Sequence, residues 1–267
     1  MPLPSADVER RARPWLGTLV EVAVLPSVPQ AHPSSRVALQ AIEAAFAAIA
    51  RVHESMSFQS DTSEITRFNR QSPGPWLPVS ADLLAVLAFS INLSEQTQGV
   101  FDVCCTGADW RAVELDHARQ AVRKHAPLTI DLSGVAKGYA VDCGVQALTA
   151  SGIESGWINA GGDVRVFGLT GFPLHVRSPA NAFEFYDCGV LHQSAAATSA
   201  SYLLAEPVLR QGTSRQLVES PASWTVRAQT CMAADALTKV LAATNNAKHP
   251  VLKRYEAQGW IFDGPED

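Results

Sequence analysis

Three groups of residues carry side chains that can do chemistry. The first is TIDLSGVAKGYAVD at 129–142, where a short alternating strand (Thr129 to Leu132) breaks on Ser133 and Gly134 and passes into a helical pattern. A strand-to-helix turn of small residues presents backbone N–H groups at the positive end of a helix dipole, which suits phosphate. Asp131 adds a carboxylate oxygen of the type a metal takes, and Lys137 a cation, although this stretch taken alone favours an ordinary βα turn with Asp131 satisfied by a cap. The second group is Ala160-Gly161-Gly162-Asp163, which either lets a ligand or cation approach the backbone or makes a plain hairpin. The third is Asp235, Thr238 and Lys239 on a helical stretch. Asp235 and Lys239 are four apart, so they share a face as a solvated ion pair, or Asp235 ligates a hard cation with the Thr238 hydroxyl beside it. Oxygen donors of this kind favour magnesium over zinc. A small, hydroxyl-rich run, SAAATSASY at 194–202, fits either a close ligand approach or tight packing.

Other chemistries lose support. The seven histidines show no metal-ligand spacing, and there is no GxSxG, GxGxxG or GxxxxGK[ST]. The five cysteines (Cys104, Cys105, Cys143, Cys188, Cys231) include no CxxC pair and read as reduced, mostly buried thiols. A net charge of −5 without a basic run argues against nucleic-acid binding. No apolar run reaches the ~18 residues of a membrane span. Trp15 to Leu25, after Arg10, Arg11 and Arg13, is too broken for a secretory core and suits a strand, so a cytoplasmic address is expected.

The elements that must position these residues follow from periodicity. Val20 to Leu25 reads as the first strand, after Arg13 to Thr18. Leu39, Ile42, Phe46, Ile49 and His53 predict an amphipathic helix over 36–54, with Ser34 or Ser35 as cap. Ser63 or Thr62 starts a short helix through Phe68, and Ser80 caps another that ends near Gly99. Val100 to Gly107 is half extended; Ala112 to Leu115 and Leu128 to Leu132 are strands, separated by the charged stretch Asp116 to His125. The helix after Gly134 ends at Ser151-Gly152, and WINAGGDVRVF at 157–167 gives two extended pieces. Leu174 to Val176, Cys188 to Leu191 and Trp224 to Ala228 are further strands, and Cys231 to Ala243 is helical. The remainder, 244–267, is a tail with a weak helix around Leu252 to Ala257. The mixture is not strictly alternating, so the class is α+β, one compact unit with at most two lobes.

Seven stretches together resemble the ApbE family of FAD:protein FMN transferases, over about 13–243: RPWLGT (13–18), MSFQSDTSEITRFNR (56–70), GVFDV (99–103), DLSGVAKGYAVD (131–142), INAGGDVRVFG (158–168), ATSASY (197–202) and CMAADALTKV (231–240). The resemblance implies a T-fold-related mixed sheet with packed helices, FAD in a cleft, and Mg2+ across its pyrophosphate. It implies attack by a Ser or Thr hydroxyl of an acceptor protein on the FMN-side phosphorus, with AMP leaving. Carried over by position, Gly134, Asp235 and Thr238 would hold the metal. Asp131 and Lys137 would flank the pyrophosphate, and Leu16, Gln59, Val100, Phe101 and Asp102 would line the flavin or adenine pockets. Two departures stand out. Many members place a Thr four residues after the metal-binding Asp, where this chain has Lys239. The family's HHxxDP-like segment, whose histidine assists proton removal, corresponds to Ser214 to Ser223, which holds no histidine; His192 is then the expected stand-in, beside Asp235, in catalysis. A flavin-holding protein without transfer activity and an FAD pyrophosphatase are the alternative readings.

Overall fold

Leu16 and Gly17 both have positive φ (57° and 72°), the backbone that a two-residue hairpin turn requires. The computed structural model describes residues 8–26, 35–168, 171–181, 183–200, 210–211, 216–217 and 221–264. In it that turn joins β1 (Glu9–Trp15) to β2 (Thr18–Val24). There follow α1 (Ser35–Met56), α2 (Glu64–Arg70), β3 (Leu77–Pro78), α3 (Ala81–Gln96), β4 (Cys104–Gly107), β5 (Val113–Asp116), β6 (Ala121–Lys124) and β7 (Leu128–Ile130). The second half contains α4 (Ala136–Ala150), β8 (Gly156–Ala160), β9 (Asp163–Phe167), β10 (Phe172–Arg177), β11 (Phe185–Leu191) and β12 (Ala195–Ala200). It ends with β13 (Arg210–Gln211), β14 (Gln216–Leu217), β15 (Ser223–Ala228), α5 (Cys231–Thr244), α6 (Val251–Arg254) and β16 (Gln258–Phe262).

The main sheet has seven strands in the order β1-β2-β8-β9-β12-β15-β16, antiparallel throughout. Side chains alternate across a strand, so each strand feeds two layers. Val20, Val22, Ile158, Ala195, Ala197 and Trp224 face the helices and join the main core. Trp157, Val164, Val166 and Ala196 face the opposite way, against the β10–β11 hairpin through Leu174, Val176 and Leu191. Helix α1 buries Ile42, Phe46 and Ile49 of the predicted stripe and leaves Leu39 and His53 half-buried; Val52, outside that stripe, is buried too, as are the alanines Ala41, Ala45 and Ala48. Helices α2 and α3 and the small sheets β3-β6-β5 and β4-β7 add Phe68, Leu83, Leu87, Val122 and Ile130 to the same core. The class is α+β, as the interspersed pattern implies.

Ser63 and Ser80 cap α2 and α3 through Thr66 N–H (3.1 Å) and Leu83 N–H (3.2 Å). The Ser34 cap lies outside the described residues. Three differences from the sequence reading have physical causes. The first strand is β1, one earlier than Val20 to Leu25: it is an edge strand in which Arg10 and Arg11 are exposed and Arg13 lies over the Phe46 ring, so it lacks an apolar alternation. The charged stretch Asp116 to His125 contains β6, because Lys124 is buried at 3% exposure and donates to the carbonyls of Asn69 (2.9 Å) and Leu128 (3.1 Å). The segment after Ala243 includes β16, which pairs with β15 across five residues and forms the far edge of the sheet. Four of the five cysteines are buried. Among the described residues, no helix is long and apolar enough to cross a membrane.

Candidate functional site

Helix α4 starts without a side-chain cap, just after the Ser133-Gly134 turn, where Asp131 accepts the Ser133 N–H at 2.9 Å. Its start is held by the turn, where the Val135 and Ala136 N–H groups both donate to the Leu132 carbonyl (3.0 and 2.8 Å), at the positive end of the helix. Helix α5 is capped twice. Thr230 takes the Ala233 N–H (3.2 Å), and Asp142 of α4 takes the N–H groups of Cys231 and Met232, both at 2.9 Å, while pairing with Arg165 of β9. Burial pushes the Asp142 carboxyl pKa up, against the opposing pull of Arg165 and the two amides. Gly138 permits the contact of the two helices: a Cβ there would stand 2.3 Å from the Cys231 carbonyl oxygen. With no side chain in the way, the Gly138 N–H donates to Asp235 Oδ2 at 3.1 Å.

Four charges gather at this junction. Lys137 of α4 makes an ion pair with Asp163 of β9 at 3.0 Å. Lys239 donates to Asp235 Oδ1, one helical turn earlier on α5, and to the Ser199 hydroxyl of β12 at 3.0 Å. Ser199 shares a 2.7 Å hydrogen bond with Thr238, whose hydroxyl also donates to the Asp235 carbonyl at 2.6 Å. Asp163 and Asp235 are each 1% exposed, so the i,i+4 pair on α5 is a buried one and not a solvated surface pair. Burial alone would raise the Asp235 pKa, but Lys239, Lys137 and the Gly138 amide outweigh it and hold the carboxylate ionised. Asp163 goes the other way: burial lifts it to about 6 against the pull of Lys137. Burial also works against the charge on Lys137, but Asp163 and Asp235 more than compensate, and its pKa is raised.

Gly134, Asp235 and Thr238, the residues expected to hold a metal, do come together, but around Lys239. The Lys239 stem lies against Gly134, its Cε 3.3 Å from where a Cβ would be. Both Asp235 carboxylate oxygens have donors, and the Thr238 hydroxyl points its hydrogen bonds at Ser199 and at its own helix. A divalent ion ~4 Å from that ammonium would meet a repulsion of roughly 8 kcal/mol at an effective dielectric of ~20. Among the described residues no group of three or more His, Cys, Asp or Glu side chains offers a metal site. This donor set does not fit Mg2+.

The other expected residues divide. Asp131 N–H donates to the Val103 carbonyl at 2.9 Å, which sets the 100–103 stretch beside the turn; Phe101 is buried there, and Asp102 takes the Cys104 N–H at 2.8 Å. Burial raises the Asp102 pKa over the opposing hydrogen bond from Cys104. Leu16 sits in the β1–β2 turn, at the sheet end where Gly161 meets Thr18, next to Asp163. Gln59 is exposed in the turn after α1. His192 is not brought to the cluster. It is exposed beside Gly171, before the start of β12, whereas Ser199 is near the strand's far end, on the order of 13 Å from Ala195 at strand rise. Of Ser214 to Ser223, residues 214–215 and 218–220 lie outside the described residues, as do Ser201 and Tyr202. Asp142 and Arg165 belong to the junction although no sequence signal singled them out; Ser199 lay in the hydroxyl-rich run at 194–202, and Asp163 was marked by its Gly-Gly neighbours.

Comparison with known proteins agrees with this architecture. The chain is 28% identical over 229 residues to the FAD:protein FMN transferase of Vibrio cholerae, an alignment covering 70% of this chain and 68% of that one. It is 26% identical over 194 residues to the FAD:protein FMN transferase of Treponema pallidum, covering 60% of this chain and 51%, about half, of that relative. The fold superposes on the crystal structure of the ApbE protein from Thermotoga maritima with a TM-score of 0.76 at 21% identity, over 92% of this chain and 89% of that one. It also superposes on the flavin transferase ApbE from Vibrio cholerae with a TM-score of 0.75 at 21% identity, over 96% and 93%. The model of the ApbE family matches residues 16–108 and 104–259, which takes in the α4 turn, the Gly-Gly hairpin and the α5 helix alike, and so the chain belongs to the ApbE family.

Proposed function

We propose that this chain is an FAD:protein FMN transferase, moving the FMN half of FAD to a Ser or Thr hydroxyl of an acceptor protein. The observation that carries the reading is the pair of ammonium groups, Lys137 and Lys239, beside the uncapped start of α4. A helix N-terminus with two cations is suited to a diphosphate, and relatives 28% and 26% identical to this chain are named for this transfer. In the reaction the hydroxyl oxygen forms a bond to the FMN-side phosphorus. The bond from that phosphorus to the bridging oxygen breaks, AMP leaves with its electron pair, and the hydroxyl proton passes to solution. Phosphoryl transfer of this sort needs placement and charge stabilisation more than covalent chemistry. Here Lys137 and Lys239, at the positive end of α4, would hold the phosphate oxygens and offset the charge that grows on AMP. Asp235 and Ser199 would keep the Lys239 ammonium aimed, and Asp163 that of Lys137. No step runs through magnesium, since the donor set does not fit it, and His192 takes no part.

The test is incubation of the full chain with FAD and several flavinylatable acceptor proteins. A covalent fluorescent acceptor band with one AMP per flavin attached is expected. AMP and FMN appearing without acceptor would instead make it a pyrophosphatase, and FAD binding with no AMP under any acceptor would make it a flavin-holding protein.

A further inference from the structure

We propose that Lys239 is a resident cation: its ammonium takes the diphosphate of the bound dinucleotide at the point where a divalent ion is expected, so that this chain binds the ligand without metal. The inference rests on the reading of FAD as the ligand. Lys239 spans the gap between the Gly134 turn and Asp235, the two places that would flank a bridging ion. Its ammonium has three N–H donors. One goes to Asp235 Oδ1 and one to Ser199 at 3.0 Å, which leaves the third for a phosphate oxygen at the start of α4. The groups a metal would need are committed elsewhere: Asp235 Oδ2 to the Gly138 amide at 3.1 Å, and Thr238 to Ser199 at 2.7 Å and to the Asp235 carbonyl at 2.6 Å. The arrangement is therefore built for an ammonium on every side. Ser199 is the telling residue, because it sits on a different element and holds Lys239 in an orientation that an incidental helix pair would not need. Lys239 would also be a point charge of fixed position, in contrast to an exchangeable ion.

The experiment is FAD titration by calorimetry on the full chain, in EDTA and in Mg2+, together with Mn2+ binding to the ligand-free chain followed by electron paramagnetic resonance. For the wild type, the FAD affinity should agree within about twofold in the two buffers, and no Mn2+ site should appear below ~1 mM. Lys239→Thr should lose at least about tenfold in FAD affinity in EDTA, regain it in Mg2+, and acquire one Mn2+ site. Lys239→Met keeps the stem without the charge; it should show the EDTA loss with circular dichroism unchanged, and serves if the threonine variant does not fold. A wild-type Mn2+ site displaced by EDTA, or an FAD affinity raised about tenfold by Mg2+, overturns the inference. Absence of FAD binding in both buffers overturns the proposed function instead, and the Mn2+ arm still decides whether the ammonium excludes a metal.

Discussion

Replacing Asp142 by alanine removes one acceptor from three donors: the Cys231 and Met232 amides at 2.9 Å and the Arg165 guanidinium. Cys231 is fully buried, so its amide gains no water in exchange. A stranded buried donor costs about 1–3 kcal/mol. Thr230 continues to cap the Ala233 amide, and the Arg165 side chain, 24% exposed, reaches solvent in part, so both limit the loss. Because burial raises the Asp142 pKa even with these partners, the ionised pair itself adds little net stability; the cost of truncation lies in the groups left behind. The sum is about 3–5 kcal/mol for breaking a buried pair. At a urea m-value of roughly 2–3 kcal/mol/M this moves the unfolding midpoint down by about 1–2.5 M. Urea titration followed by circular dichroism reads it directly. The double variant Asp142→Ala, Arg165→Met should lose less than the two single changes added, by about 0.5–3 kcal/mol, since the arginine is then no longer orphaned. A midpoint shift under ~0.3 M in the single variant, below roughly 1 kcal/mol, would refute the idea that α4 fixes the start of α5 through this carboxylate.

Two further outcomes follow from the same junction. The Asp163 pKa is raised from 3.8 to about 6, so the folded chain holds this proton more tightly than the unfolded one. Its contribution is fully present below pH 3.8 and is lost as pH rises through about 6, so Asp163→Asn should flatten the wild-type decline in stability between pH 4 and 7 measured by urea titration; equal slopes would sink the assignment. Gly138→Ala would set a methyl 2.3 Å from the Cys231 carbonyl and must part α4 from α5. It should destabilise the chain by about 1–3 kcal/mol, and calorimetric FAD affinity should fall with it because the Gly138–Asp235 hydrogen bond opens; unchanged thermal stability would contradict the close approach.

The elements with strong local signals were legible: the apolar stripe of α1, the Ser63 and Ser80 caps and the Gly161-Gly162 hairpin all lie where periodicity and turn chemistry put them. The β1 strand was not, since an arginine-bearing edge strand has no apolar alternation to read. Nor was β6, whose Lys124 looks like a surface charge in sequence and is satisfied by two carbonyls in the fold. At the site, spacing alone could put Lys239 beside Asp235, because i,i+4 neighbours meet on any helix. It could not put Ser199 there, forty residues away, or Asp142 at the head of α5, eighty-nine residues away. His192 illustrates the converse. The missing histidine of the family segment made it the expected stand-in beside Asp235, but it lies exposed before β12, and an extended strand separates residues faster than a helix does.

The junction's two lysines and two aspartates cancel one another, within a chain whose formal charge is −5. An approaching dinucleotide, itself anionic, therefore meets no long-range attraction and a weakly repelling exterior. Electrostatic steering is absent, and association should run at the unassisted 10⁵–10⁶ M⁻¹s⁻¹ or about that, quickening slightly as added salt screens the exterior. Whatever selectivity this protein has for its ligand is exercised at contact range, after the encounter has been made by diffusion.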